Sequence, residues 1–428
     1  MKTILLSVCG LLLAIHTIGQ SFELTGQVRP RAEYKHGYKS LIGEDIDPAT
    51  AISQRTRLGL GYQSDKIKAM VTLQDVRIWG DVATSNRSDL NGTMLYQAWG
   101  EFLLHKTLSV KAGRQPILHD DQRLFGGNDW SQQARSHDAL LLKYNPAQNI
   151  TFHAGFAFNQ SSDKDTGTFY TLEKNHKALQ YLHMHADKGK SFGASILLVN
   201  LGMPYNEMLV DSTWKQETNF FQTLGGIINY NPDKIKSSLA FYYQTGKNQK
   251  NKNKSAYFIG ADFSYSPDKN WTLGTGFQYL TGNDQVSPDN KDHEFSTLFS
   301  NGHKFNGWMD YFNAGSSHKG VGLLDVYLPL IYKKEKFSAE MQFHYFRSAA
   351  SVKDPAKDAT KAMDSYLGSE GGILLSYALS SEITISGGYS QMFGTETLEA
   401  IKGGDRKVTQ NWIWTMFTFN PVFIKVTK

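Results

Sequence analysis

Arginine is where this sequence concentrates its chemistry. Nine of its eleven arginines fall between Arg29 and Arg135, and only Arg347 and Arg406 lie beyond. Arg29 and Arg31 are two apart, as are Arg55 and Arg57, so on extended chain each pair shares one face. The opposite faces hold Val28, Ala32 and Tyr34 in one stretch, and Leu58, Leu60 and Tyr62 in the other. A guanidinium offers a planar fork of donors that matches a carboxylate bidentately. The densest segment, Lys111 to Asp138, adds Arg114, Asp120, Asp121, Arg123, Trp130, Arg135 and Asp138. Its Gly126-Gly127 pair permits tight backbone, and Trp130 offers a face for a sugar ring. These eleven residues form the candidate binding set: Arg29, Arg31, Arg55, Arg57, Arg114, Arg123, Arg135, Asp120, Asp121, Asp138 and Trp130.

Covalent chemistry is not expected. Asp120 and Asp121 are adjacent, so as strand residues they point apart and make a poor glycosidase pair. No nucleophile and base stand together. His119 beside the two aspartates has no second ligand group at a metal-like spacing, so no metal site and no cofactor are expected. The single cysteine, Cys9, lies in an N-terminal apolar stretch, which leaves no disulfide or thiol chemistry in the mature chain. A net charge of +5 does not call for nucleic acid.

The elements that carry these residues are strands. In 256–265, Tyr257, Ile259, Ala261, Phe263 and Tyr265 alternate with Gly260, Asp262 and Ser264. Segments 271–280 and 337–346 repeat the pattern with Trp271, Leu273, Phe277, Phe337, Met341, Phe343 and Tyr345 on the apolar side. Each is about as long as a tilted strand crossing a bilayer. Connectors alternate between short, turn-like ones (64–66, 105–107, 145–149, 187–190, 231–234, 266–270, 333–336, 380–381) and long ones (35–53, 79–93, 117–137, 159–177, 202–217, 247–254, 282–322, 349–368, 394–409). Eight short and nine long connections join eighteen strands, with both chain ends on the periplasmic side. That is the plan of a single antiparallel transmembrane β-barrel with short periplasmic turns and long extracellular loops.

A soluble propeller or pair of sandwiches would also alternate. It would not sort its connectors by length, and its polar faces would hold more Lys and Glu than the Gly, Ser, Gln and Arg found here. The start of the chain agrees with export. Lys2 followed by Ile4 to Ile15 reads as a signal peptide over residues 1–19, leaving the barrel as 20–428. Mean hydropathy of -0.41 excludes a bundle of membrane helices. Residence in a Gram-negative outer membrane follows, with lipid around a barrel expected to be monomeric.

An arginine on the lipid face at mid-bilayer costs about 2–4 kcal/mol, so Arg29, Arg31, Arg55 and Arg57 should face the lumen. Glu33, Asp75, Glu101 and Asp138 are nearby candidates to balance them. One reading is a structural ladder of lumen ion pairs; the other is a basic track for carboxylates; the two are compatible. The longest loop, 282–322, concentrates aromatics over His303–Phe312 and should either fold inward as a constriction or pack outside the mouth. The final strand carries Trp412, Trp414, Phe417, Phe419 and Phe423, yet the chain ends on Lys428 rather than an aromatic residue.

The series Gly113-Arg114-Gln115, Asp120-Asp121, Arg123-Leu124, Gly126, Asp129-Trp130, Arg135 and Asp138 resembles the alginate export family of outer-membrane porins. The stretches His303–Phe312 and Gly322–Tyr327 resemble the branch of that family found in Bacteroidetes-type bacteria. The resemblance spans the mature chain. It implies an eighteen-stranded barrel with a basic lumen passing an anionic polyuronate. Lumen arginines would correspond to Arg114, Arg55, Arg57 and Arg31, and their acidic partners to Asp120, Asp121 or Asp138. The expected function is passive, anion-selective passage of an alginate-like oligo- or polysaccharide, not catalysis. A general anion-preferring porin for small solutes and a surface receptor or adhesin with a plugged lumen are the alternatives.

Overall fold

The computed structural model describes residues 20–85, 92–163, 165–167, 176–208, 214–313, 319–355 and 360–427. The expected signal peptide, with Cys9, lies outside the described residues. Strand β1 (Ser21–His36) pairs antiparallel with β2 (Ala49–Gln63), and each later strand pairs with its sequence neighbour until the last returns to β1. The sheet is therefore closed and has no free edge. The closing crossing is split. β18 (Gln410–Phe419) follows the outer part of β1, and β19 (Val422–Thr427) continues along Ser21 to Thr25 after Asn420-Pro421. Proline has no amide to donate; its carbonyl accepts from the Gly26 N–H at 2.9 Å, and the register slips beside it between Leu24 and Thr25. Counting β18 and β19 as one crossing gives the eighteen that the connectors predict.

The outward face is apolar. Leu58, Leu60, Val71, Leu73, Leu140, Leu142, Tyr257, Phe263, Leu273, Met341 and Phe343 are all exposed, which in water would be a liability and in a bilayer is the lipid contact. Aromatics flank the short turns: Phe192, Tyr230, Tyr265, Trp271, Phe337 and Tyr377 are exposed within a few residues of them. They form the periplasmic girdle of an outer-membrane barrel.

Among the described residues, two of the long connections turn into the barrel. One, 116–136, joins β5 (Leu108–Gln115) to β6 (His137–Ala147). The other, 281–322, joins β13 (Trp271–Leu280) to β14 (Leu323–Lys334). Phe125, Met309, Tyr311 and Phe312 are 0% exposed, so the aromatics of the longer loop are interior, not external. That loop is held at two stretches of the wall, β13 to β16 and the chain beyond β1. On one side the Glu370 carboxylate, on β16 (Tyr366–Ala378), accepts from the N–H groups of Trp308 (2.5 Å) and Met309 (2.9 Å). Asn306 donates to Asp325 on β14 and Gln278 on β13, at 3.1 and 2.9 Å. On the other, the Tyr311 hydroxyl donates to the Gly37 and Ser40 carbonyls beyond β1, at 2.6 and 3.0 Å.

The two loops join each other through a parallel bridge, Phe125 to Phe299, with Gly126 N–H to Phe299 O at 2.9 Å and Asn301 N–H to Gln122 O at 3.0 Å. Gly126 is required by this approach: a Cβ there would lie 2.6 Å from the Asn301 nitrogen and 2.8 Å from its Cβ. Overpacking of this kind costs about 1–3 kcal/mol. Gly126→Ala should therefore part the loops and raise single-channel conductance in planar bilayers, and a wild-type conductance would contradict the reading.

Candidate functional site

The site begins with register. Arg29 on β1 faces Arg55 on β2, and Gln27 faces Arg57, so the i, i+2 spacing of each strand becomes a cluster across two strands. Arg29, Arg31 and Arg55 are buried, and their strand neighbours Val28 and Leu58 are exposed outside. The inward placement read from alternation holds for all four arginines. Like charges so close need a counter-charge, and loop 116–136 delivers it. Asp129 lies 2.9 Å from Arg55, 3.3 Å from Arg29 and 3.5 Å from Arg57. Burial alone would raise the Asp129 carboxyl; the hydrogen bond and charge of Arg55, with Arg29 and Arg57, hold it below the usual range. Its side chain is nevertheless 61% exposed, whereas that of Arg55 is 1% exposed.

The rest of the loop completes the cradle. Gln132 accepts from Arg29 through its carbonyl (3.0 and 3.2 Å) and donates to Ser53. The Trp130 carbonyl accepts from Arg31 at 2.8 Å. Arg31 lies 4.2 Å from the centre of the Trp130 ring, which stacks on His303 at 4.3 Å and meets Trp414 edge-on at 4.8 Å. Arg57 sits 3.6 Å from the ring centre of Tyr96. Four guanidiniums thus share two carboxylates, Asp129 and Glu33, the latter 3.2 Å from Arg31. Positive charge is in excess.

Not every expected member joins this cluster. Arg114 pairs with Asp138 at 2.8 Å, but on the outer face. The two are register partners, and Asp138 continues the outward row of Leu140 and Leu142, 49% and 43% exposed. The pairing stands; the lumen placement is corrected. Asp75 similarly serves Arg77 at 2.7 Å, and Glu101 serves Lys143 at 3.0 Å, so of the acids expected to balance the cluster only Glu33 does. Arg123 is 2% exposed, bonded to Gln278 and 3.5 Å from the ring centre of Phe305. Arg135 donates to the carbonyls of Phe299 and Ser300. Both arginines tie the loops together, Arg123 buried and Arg135 half-buried. Asp121 caps the Arg123 N–H at 2.9 Å, and its own carboxyl is raised by burial. Asp120 turns away to His183, 3.1 Å distant. Sequence reading missed Asp129 as the hub, along with Gln132, His303 and Trp414.

His303 belongs to a second acidic contact: its Nδ1 is 2.9 Å from Asp310, and the Tyr38 hydroxyl donates to the same carboxylate. Burial would raise the Asp310 carboxyl, but His303 and Tyr38 hold it below its ordinary value. A depressed carboxyl stabilises the folded loop above its unfolded pKa of about 3.9, and that stability is lost as pH falls through the lower folded value. The Asp310 contact of loop 281–322 should therefore weaken in strong acid, seen as growing current noise below about pH 4. Noise that instead sets in near neutrality would contradict this.

No second ligand group stands at a metal-like spacing from His119 in the sequence, but the fold brings two histidines to it. His153 and His183 stand beside it, with one ligand atom from each of the three within 4.8 Å of the others.

The model of the alginate export family matches residues 21–409. The chain belongs to the alginate export family. As a member it is an outer-membrane channel, and its closed barrel agrees. No curated protein matches it by sequence. Solved structures similar to this family member include Acinetobacter baumannii OccAB4, with TM-score 0.63, 12% identity and coverage of 95% of this chain and 99% of that one. Pseudomonas aeruginosa OccK3 (OpdO) has TM-score 0.61 and 12% identity, covering 94% and 96%. Pseudomonas aeruginosa OpdK, solved with vanillate, has TM-score 0.60 and 8% identity, covering 94% and 99%. At these identities the likeness is one of fold.

Proposed function

We propose that this channel passes acidic oligo- or polysaccharides of the alginate class, with preference for anions. The observation that carries the proposal is the shared Asp129 carboxylate: an exposed acid holding three lumen arginines in a site where cations outnumber acids. Arginine in a pore wall favours anions, and a fork already bound to one carboxylate is shaped for another. Asp129 occupies the place a uronate carboxylate would take, and exchange between the two lets a chain advance without leaving buried guanidiniums bare. The vanillate in the OpdK structure is also a carboxylate, which agrees with acids as a solute class for this barrel architecture.

Reversal potential across a salt gradient tests the charge. The wild-type channel should favour anions, and Arg55→Gln with Arg57→Gln should lower that preference several-fold. Arg114→Gln, on the outer face, should leave it unchanged. Oligouronates should block the current at concentrations where neutral oligosaccharides do not. Anion preference without block would make this a general porin, and absence of conductance would make it a plugged receptor.

A further inference from the structure

Three histidines converge where loop 116–136 meets the wall. His153 on β7 (Ile150–Phe158) and His183 on β8 (Ala178–Lys188) are direct cross-strand partners. His119 comes down from the loop and stacks on His183, ring centres 4.2 Å apart and planes 20° from parallel, with His153 at 5.5 Å. Tyr181 closes one side, its ring 5.1 Å from His119. Gly155 makes room for it, since a Cβ there would fall inside that ring.

The protonation pattern is that of ligands. Asp120 lies 3.1 Å from His183 Nε2, with the two side chains 10% and 6% exposed. The carboxylate therefore takes the Nε2–H and leaves the Nδ1 lone pair free. That Nδ1 is buried and has no hydrogen-bond partner, and neither has Nε2 of His119. Buried polar atoms are almost always satisfied, so two orphaned imidazole nitrogens beside a third histidine point to a missing ligand. A carboxylate holding the far nitrogen is the usual outer partner of a metal-bound histidine.

We propose that His119, His153 and His183 bind a divalent late first-row metal ion of the zinc class, with Asp120 positioning His183. Three nitrogens and no oxygen donor suit zinc, nickel or copper and exclude calcium and magnesium. Ligand atoms within 4.8 Å must close by up to about 1.5 Å for Zn–N distances of about 2.0–2.1 Å, a motion within reach of ring rotation. The fourth position is left to water. The bound ion fastens the inturned loop to the β7–β8 wall, a second anchor apart from the arginines on β1 and β2.

The test uses the untagged full-length barrel, folded in detergent, stripped with EDTA and re-exposed to zinc. Metal analysis after gel filtration should give one zinc per chain. A chelator competition should show at least a hundredfold weaker binding for His119→Ala and His183→Ala. Asp120→Asn should weaken it about 10- to 100-fold. His153→Gln keeps side-chain bulk, and heat-modified gel migration reports that each barrel is folded. Cobalt loading should give the visible bands of a tetrahedral site in wild type only. Zinc absent from the folded wild-type barrel, or retained equally by the triple His→Ala variant, would overturn the proposal.

Discussion

Glu370→Ala should release loop 281–322 from the barrel wall and produce the largest conductance gain of any single substitution. The carboxylate is the acceptor for two consecutive backbone amides, Trp308 and Met309, and Gly307, at φ +85°, lets the loop approach it. Each buried amide left without an acceptor costs about 1–3 kcal/mol, so the loop loses about 2–6 kcal/mol of docking. The wall does not depend on it, because β16 keeps its ladders to both neighbours. The expected result is a folded barrel with higher conductance and new protease cleavage within 305–313. Wild-type conductance with an unchanged cleavage pattern would show that the loop is held elsewhere.

The second large effect is on selectivity. Asp129→Asn removes one unit of negative charge from a cluster that already carries excess positive charge. At an effective dielectric between protein and water, a unit charge felt at about 8 Å is worth about 1 kcal/mol, or about a fivefold rise in the anion-to-cation permeability ratio. The substitution also weakens the tether of loop 116–136, so current noise should rise alongside. If the ratio falls, or stays put while Arg55→Gln changes it, Asp129 is not the charge that solutes meet.

The wall was legible because lipid on one side and water on the other impose a period of two on every strand. Tyr257 and Phe263 face outward as that period requires, and Arg29, Arg31, Arg55 and Arg57 face inward. The site was legible only in part. That Arg29 meets Arg55 depends on register, which a turnless reading of two strands does not fix. That Asp129 meets both depends on a loop folding back across about a hundred residues, for which sequence offers no period. Arg114 is instructive in the other direction. Alternation from Lys111, which is buried, already places Arg114 on the opposite face; only its resemblance to a family motif suggested the lumen. His153 and His183 escaped notice as partners of His119 because it comes from a loop and they from adjacent strands, with no spacing between them that a motif would contain.

A closed sheet with a watery interior has nothing inside to keep it round. Here the longer inturned loop is fixed to β13, β14, β16 and the residues beyond β1, and the shorter loop, itself fixed to β1 and β2, is fastened to it. They work as spokes on a rim. Flattening the barrel must stretch or break them, so lateral pressure in the bilayer reaches the constriction directly. Pore width and wall shape become one mechanical variable.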